Sequence, residues 1–270
     1  MKAKYASIPY VIWVAIFVAI PFILIIFYAF TARDGGFTLD NFKNIDEYVP
    51  VFVRSILLAV IATAICILLG YPLAYTLARF GARAQTICMM LIMLPMWMNF
   101  LLRTYAWMSI LENTGLLNKF LEQIGLPGVS IINTQGAVVL GMVYNYLPFM
   151  VLPIYSVIVK LDGSLVEAAQ DLGASTVGVF TKVIFPLSMP GVISGITMVF
   201  VPSLSTFIIS KLLGGGTSML LGDLIEMQFL GSAYNPHLGS AISLVMMIIV
   251  LVCMWTMNRF GEGDEQAVII

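Results

Sequence analysis

Charged residues are scarce in this sequence of 270 residues, of which only 10% are Asp, Glu, Lys or Arg. Soluble domains carry about 25% of such residues, because they need polar groups to cover their surface. Here 60% of the residues are hydrophobic, and the mean hydropathy is +1.01. The shortage of charge excludes a soluble globular fold and predicts that a lipid bilayer surrounds most of the chain. The net charge of −1 gives no basis for binding nucleic acid.

Histidine and cysteine are also rare, with one histidine and three cysteines in the whole chain. Cys66, Cys88 and Cys253 lie inside apolar runs, and His237 lies in a polar loop. This pattern contains neither a disulfide framework nor the spacing of metal ligands. The sequence also lacks the glycine-rich phosphate loop that ends in Gly-Lys-Ser/Thr. We therefore expect no catalytic residue, no metal and no cofactor in this chain.

Long apolar segments are what the sequence has in abundance. A helix needs about 20 apolar residues to cross a bilayer. Backbone amides cannot stay unpaired in lipid, so such segments must be helices. The six candidates are residues 8–30, 55–78, 86–110, 136–159, 190–209 and 239–257. The predicted fold class is an all-α polytopic membrane protein with six transmembrane helices in a single domain, residues 1–270.

The distribution of positive charge gives the predicted orientation. The turn from Arg79 to Arg83 contains two arginines and no acidic residue, as is typical of cytoplasmic loops. Six spans then place both termini in the cytoplasm. The longest cytoplasmic loop is 160–189, and the long external segments are 31–54, 111–135 and 210–238. None of these segments has room for a separate catalytic domain.

Arg103 is a charged residue inside the third predicted span. A charge in the middle of the bilayer is costly, so its side chain should face protein or water, or extend towards the headgroups. A positive charge would repel a cationic cargo. We therefore expect Arg103 to have a structural role.

The loop 160–189 is predicted to begin with a short helix. Ser164 can cap its N-terminus, and Glu167 three residues later completes a capping box. Ala168 and Ala169 favour a helix and add little bulk. Gly173 then ends the helix, as glycine commonly does at this position.

A second short helix is predicted in the same loop. Ser175 can cap it, and residues 176–184 form it. Pro186 is expected to end it, since proline lacks the N–H that a helix interior uses. Two helices joined by a bend form a compact knuckle, with small residues on a surface that another protein could approach closely.

The spacing in this loop resembles a known signature. Glu167-Ala168-Ala169, three residues and Gly173, then nine residues before the segment that ends in Pro186, is similar to the EAA loop of permease subunits of bacterial ABC importers. The family usually ends this loop with Ile-x-Leu-Pro, where this chain has Val183-Ile-Phe185-Pro186. The resemblance implies a type I-like ABC importer permease fold. It also implies that Glu167, Ala168, Ala169, Gly173 and Pro186 form the loop that couples to the ATPase.

The same resemblance implies several partners. Cytoplasmic ATPase subunits would bind ATP and Mg²⁺ and receive the coupling loop in a groove. A second, homologous permease subunit would form the path together with this chain, and an external binding protein would deliver the cargo. The implied location is the inner (cytoplasmic) membrane of a bacterium, in contact with lipid.

Two further segments resemble polyamine importers. The similarity is to the B-type permease subunit of spermidine/putrescine systems, and the two segments are Leu94-Pro-Met-Trp97-Met-Asn99-Phe-Leu-Leu-Arg103-Thr-Tyr105-Ala-Trp107 and Leu147-Pro148-Phe-Met-Val-Leu-Pro153-Ile-Tyr155. This resemblance implies import of spermidine or putrescine. Import of another small solute is the alternative. An ion-coupled secondary transporter is less favoured because no carboxylate lies in mid-span. A membrane-embedded enzyme lacks a catalytic set.

A polyamine needs carboxylates to balance its charge and aromatic faces for cation–π contacts. The predicted path residues are Trp97, Tyr144, Asp223 and Glu226. The two acids are three residues apart, so they share one face if their segment is helical. The aromatic side chains could instead be interfacial anchors. The acids could be solvated loop residues or contacts for the external binding protein.

Overall fold

The computed structural model describes residues 8–32, 34–231 and 233–265. Within these ranges the secondary structure is helical, apart from one isolated antiparallel bridge between Thr31 and Phe37. The helices are α1 (Ile8–Val14, Ala15–Ala19 and Ile20–Ala29, continuous), α2 (Val49–Ala78), α3 (Ala82–Met93), α4 (Phe100–Leu111), α5 (Leu116–Gln123), α6 (Gln135–Ile158), α7 (Gly163–Asp171), α8 (Thr176–Val179, Phe180–Ile184 and Phe185–Ser205, continuous), α9 (Ile208–Leu213), α10 (Leu221–Leu230) and α11 (Pro236–Glu265). Short helical turns at Asp40–Lys43 and Asn44–Tyr48 lead into α2. The all-α prediction is confirmed.

Five helices of the described chain are long and apolar enough to cross a membrane, namely those containing α1, α2, α6, α8 and α11. A sixth span exists if a bent helix pair is counted as one. Three predicted spans agree with the structure to within a few residues. They are 8–30, 136–159 and 239–257, which correspond to Pro9–Ala29, Gln135–Ile158 and Pro236–Met257.

The third predicted span, 86–110, corresponds to the bent pair of α3 and α4 and not to one continuous helix. After α3 a short 3₁₀ turn, Leu94–Trp97, ends the helix, and the chain bends by 90° before α4. Pro95 lies at the start of that turn, where a proline is tolerated because its missing N–H has no helical partner anyway. The side chain of Asn99 accepts from the N–H of Leu101 at 2.8 Å and so caps α4. A hydropathy profile does not show this break, because the residues on both sides of it are apolar.

Two other predicted boundaries also need correction. α2 begins at Val49, earlier than the predicted residue 55, and α8 runs from Thr176 to Ser205 in place of 190–209. Pro186 therefore does not end a helix, because the chain continues through it into the span. A π-helical turn, Phe180–Ile184, precedes this proline. Such a turn shifts the hydrogen-bond ladder, so the missing proline N–H is less costly than in a regular helix.

The core of the molecule lies where α6 packs against α2 and α8. Glycine allows α8 to approach α6 closely: a Cβ on Gly191 would lie 2.8 Å from the carbonyl oxygen of Pro153. At Gly195 it would lie 2.7 Å from the sulfur of Met150. Small residues are the usual means of close helix packing in membranes, since dispersion forces increase as helices approach. In contrast, α1 packs on α11 and leaves most of its surface exposed.

Candidate functional site

The loop between α6 and α8 contains an exposed bend. Asp162 is the N-cap of α7, and its carboxylate accepts from the N–H of Ser164 at 3.0 Å. This hydrogen bond holds the pKa of Asp162 below its ordinary value. The predicted capping box of Ser164 and Glu167 is therefore wrong. The helix begins two residues earlier than a Ser164 cap would give, at Gly163, and the carboxylate of Asp162 takes the cap position.

Gly173 forms the bend itself, as predicted. Its φ is +81°, the left-handed region that L-residues rarely adopt. The N–H of Gly173 donates to the carbonyl of Gln170 at 2.8 Å, and the N–H of Ala174 donates to that of Ala169 at 3.0 Å. These two bonds form a Schellman motif, which satisfies carbonyls at the end of α7. Apart from Gly173 itself and its two chain neighbours, no atom of the described residues lies within 4 Å of a Cβ built on Gly173, so the outside of the bend is open.

The surface around this bend is exposed on both helices. Glu167 and Ala168 are exposed, and Ala169 is half-buried. Leu172 is 89% exposed, although it is apolar. Ser175 caps the following helix by accepting from the N–H of Gly178 at 3.2 Å, as predicted. The bend thus presents backbone, small side chains and one large apolar side chain to its surroundings.

An aromatic cluster connects this loop to the second span. The ring of Phe180 contacts the rings of Tyr71 and Tyr75 edge-to-face, with centroids 5.7 and 5.2 Å away. The Tyr71 hydroxyl lies 2.7 Å from the Ser188 hydroxyl, and Ser188 donates to the carbonyl of Phe185 at 2.9 Å. The N-terminal part of α8, next to the bend, therefore packs directly on α2. This cluster is not among the predicted site residues, although Tyr71 and Tyr75 are four residues apart and so share one helix face.

A second region of interest lies between α9 and α10. It is a cavity of about 380 Å³ lined by residues of both helices and of the connecting loop, and its charged side chains are Lys211, Asp223 and Glu226. The prediction that the two acids share one helix face is correct, since both belong to α10 and line one cavity. They are therefore not loop residues.

Each carboxylate of the cavity has a different partner. The Lys211 ammonium group donates to both oxygens of Glu226, at 3.0 and 3.2 Å. Asp223 accepts from the N–H of Leu220 through Oδ2 at 2.9 Å. Its Oδ1 is buried and has no hydrogen-bond donor among the described residues. Burial raises the pKa of Asp223 above its ordinary value, and the hydrogen bond from Leu220 opposes this rise.

The predicted aromatic path residues lie elsewhere. Trp97 is at the bend between α3 and α4 and is 82% exposed. Tyr144 is half-buried on α6, and its ring contacts that of Trp107 edge-to-face at 5.2 Å. Neither side chain lines the cavity of Asp223 and Glu226. The structure thus brings two of the four predicted path residues together.

Arg103 faces the protein interior, as expected. It is only 8% exposed, and its guanidinium carbon lies 5.9 Å from the ring centroid of Phe100. Its Nε and Nη1 atoms are buried and find no acceptor in the part of the chain that the structure describes.

Comparisons with known proteins agree with this architecture. Residues 67–261 match the family model described as binding-protein-dependent transport system inner membrane component. The spermidine/putrescine transport system permease protein PotB of Escherichia coli K12 is 39% identical over 260 residues, covering 92% of this chain and 94% of its own. PotB of Haemophilus influenzae is 38% identical, covering 93% and 91%.

Among solved structures, a chain of a bacterial ABC transporter that imports the acidic polysaccharide alginate superposes with a TM-score of 0.78. The two chains are 19% identical, and the match covers 96% of this chain and 94% of the other. At this identity the similarity is one of fold.

Proposed function

Because the chain belongs to the family of binding-protein-dependent transport system inner membrane components, we propose that it imports polyamines as one permease subunit of an ATP-driven transporter. The observation that supports polyamines as the cargo is the 39% identity to a spermidine/putrescine permease across nearly the whole of both chains. The family itself establishes a transport subunit of the inner membrane.

The charge of the cavity between α9 and α10 supports a cationic cargo. Two carboxylates and one ammonium group line it, so its net charge is negative when all three are ionised. The fold does not determine the charge of the cargo, since the alginate importer has the same fold and carries an acidic polymer. We assign Asp223 and Glu226 to the cargo path, and Trp97 and Tyr144 to its aromatic faces.

The exposed bend is the proposed contact with the ATPase subunits. Glu167, Ala168, Ala169 and Gly173 would dock into a groove of that partner, which binds ATP and Mg²⁺. Pro186 lies within the helix that leads from this contact into the membrane. This arrangement requires the bend and both termini to be cytoplasmic, and the cavity between α9 and α10 to be external.

The remaining partners follow from the same proposal. A second, homologous permease subunit would complete the path, and an external polyamine-binding protein would deliver cargo to it. Trp97 is exposed at the 90° bend, where it is available to such a second subunit.

The test is uptake of labelled spermidine by cells that lack this chain but contain its partners. Wild-type protein should restore uptake, and unlabelled putrescine should compete whereas a neutral diol of the same length should not. Failure to restore uptake of spermidine and putrescine would contradict the cargo assignment. The next solutes to try would then be other small cations and anions.

A further inference from the structure

We propose that the Lys211 ammonium group occupies the carboxylate cavity as an internal substitute for a cargo amine, and that a polyamine displaces it on binding. This inference rests on the proposed function, since it assumes a cargo with several amines. It makes Lys211 a specificity-determining residue, because a ligand must compete with an ammonium group that is already present.

The Lys211–Glu226 ion pair has the contacts expected of a cargo amine bound to Glu226. The Lys211 nitrogen contacts both oxygens of Glu226 within hydrogen-bond distance, as the terminal ammonium group of a polyamine would. The side chain of Lys211 is 61% exposed, and that of Glu226 is 26% exposed. The carboxylate is therefore held by the protein, whereas the amine reaches it from the open side.

The pair is also easy to open. Exposed ion pairs contribute little to stability, because water solvates both partners when they separate. Lys211 belongs to α9, a helix of six residues that is not one of the candidate spans. The loop that follows contains Gly215 and Gly216, both with positive φ. The lysine can therefore leave the cavity on its flexible stem without moving a membrane-spanning helix.

The carboxylate of Asp223 explains why a polyamine would displace Lys211 from Glu226. Lys211 provides one ammonium group for Glu226, and Asp223 lines the same cavity without an ion-pair partner in the described chain. A diamine or triamine can replace Lys211 at Glu226 and place another amine at Asp223. A monoamine replaces one ammonium group by another and gains no second contact. The cavity of about 380 Å³ has room for a flexible aliphatic chain.

The test is equilibrium binding of labelled spermidine to the complete transporter complex in lipid nanodiscs, without the external binding protein. We expect Lys211→Met to bind spermidine about two- to fivefold more tightly than wild type, the range that an exposed ion pair supplies. Lys211→Arg is the matched control, and it should bind as wild type does because it keeps the charge. Glu226→Gln should weaken binding, and butylamine should not compete in any form.

A Lys211→Met complex that binds spermidine as weakly as wild type, or more weakly, would overturn the inference. The inference is also overturned if none of these complexes binds spermidine. If wild-type cells nevertheless take up spermidine, the proposed function survives. Thermal unfolding of each complex provides a second readout. A purely structural ion pair would lower the unfolding temperature of Lys211→Met and leave its affinity no tighter.

Discussion

The bend at Gly173 and the cavity around Glu226 differ in how they are built. The bend consists of backbone hydrogen bonds between residues that are near neighbours in sequence, and it presents small side chains and the exposed Leu172 to its surroundings. The cavity consists of charged side chains on two helices, joined by an ion pair across 15 positions. The bend thus offers a shape, and the cavity offers an arrangement of charge.

The largest effect should come from changing the shape of the bend. Gly173→Val places a β-branched residue at φ +81°, where the left-handed conformation costs an L-residue about 1–2 kcal/mol or more. We expect spermidine uptake to fall by about tenfold or more, because such a strain shifts an equilibrium by that factor. The measurement is initial uptake rate, normalised to the amount of protein in the membrane.

Two matched variants sharpen this prediction. Gly163→Ala changes a glycine that also has open space around it but has no positive φ, so uptake should be unchanged. Gly173→Asn should retain most of the uptake, since asparagine tolerates the left-handed region. Equal loss in Gly173→Val and Gly163→Ala would show that the bend conformation is not what matters.

A smaller effect is expected from changing charge in the cavity. Asp223→Asn removes a carboxylate with an unused buried oxygen, and we expect spermidine to bind the complex about tenfold more weakly, the value of a charge-assisted hydrogen bond. Glu122→Gln removes an exposed acid that does not line the cavity and should leave the affinity unchanged. If both substitutions had the same effect, general surface charge would explain the binding.

Acidification should affect the cavity more than the bend. Burial raises the pKa of Asp223 in the folded protein, so the folded state holds this proton more tightly than the unfolded chain. Its contribution to stability is present below the unfolded pKa of about 3.9 and is lost as the pH rises through the folded pKa. Binding a cation needs the ionised form. Spermidine affinity should therefore start to fall at a higher pH than an ordinary aspartate would give.

The measurement is spermidine binding as a function of pH across the acidic range. Lys211 and Glu226 face the same cavity, so the Asp223→Asn variant isolates the contribution of Asp223. In the Asp223→Asn variant, the plot of spermidine affinity against pH should lack the decline that begins above the ordinary pKa of an aspartate. A profile that is identical in both proteins would exclude Asp223 as the titrating group.

The smallest effect should come from changing the aromatic cluster that connects the start of α8 to α2. Tyr71→Phe keeps the ring on Phe180 and loses the hydrogen bond to Ser188, at a cost of about 1 kcal/mol of unfolding free energy. Tyr75→Phe keeps a ring on the same Phe180 and is the control, expected to be close to neutral. Thermal unfolding in detergent compares the two. A larger loss in Tyr75→Phe would contradict the role given to the buried hydrogen bond.

Much of the bend could be predicted from the sequence, because its determinants are local. Gly173 and Ser175 act on backbone groups within a few residues, so composition and spacing reveal them. The start of the fifth span was missed because Ser175, Lys182 and the glycine between them lower the hydropathy of a helix that nevertheless continues. The prediction that Pro186 ends a helix is wrong because a π-helical turn precedes this proline and accommodates it. No characteristic residue pattern marks such a turn in the sequence.

The sequence by itself determined the membrane location, the helical class, most of the spans and the exposed bend, since each depends on apolar content or on neighbouring residues. Only the tertiary structure decided the 90° angle between α3 and α4, the packing of α6 against α2 and α8, and the pairing of Lys211 with Glu226. The physical reason is that these features depend on which helix faces approach each other. Side-chain pairs across helices, and the direction of a chain after a break, are set by packing against residues that are distant in sequence.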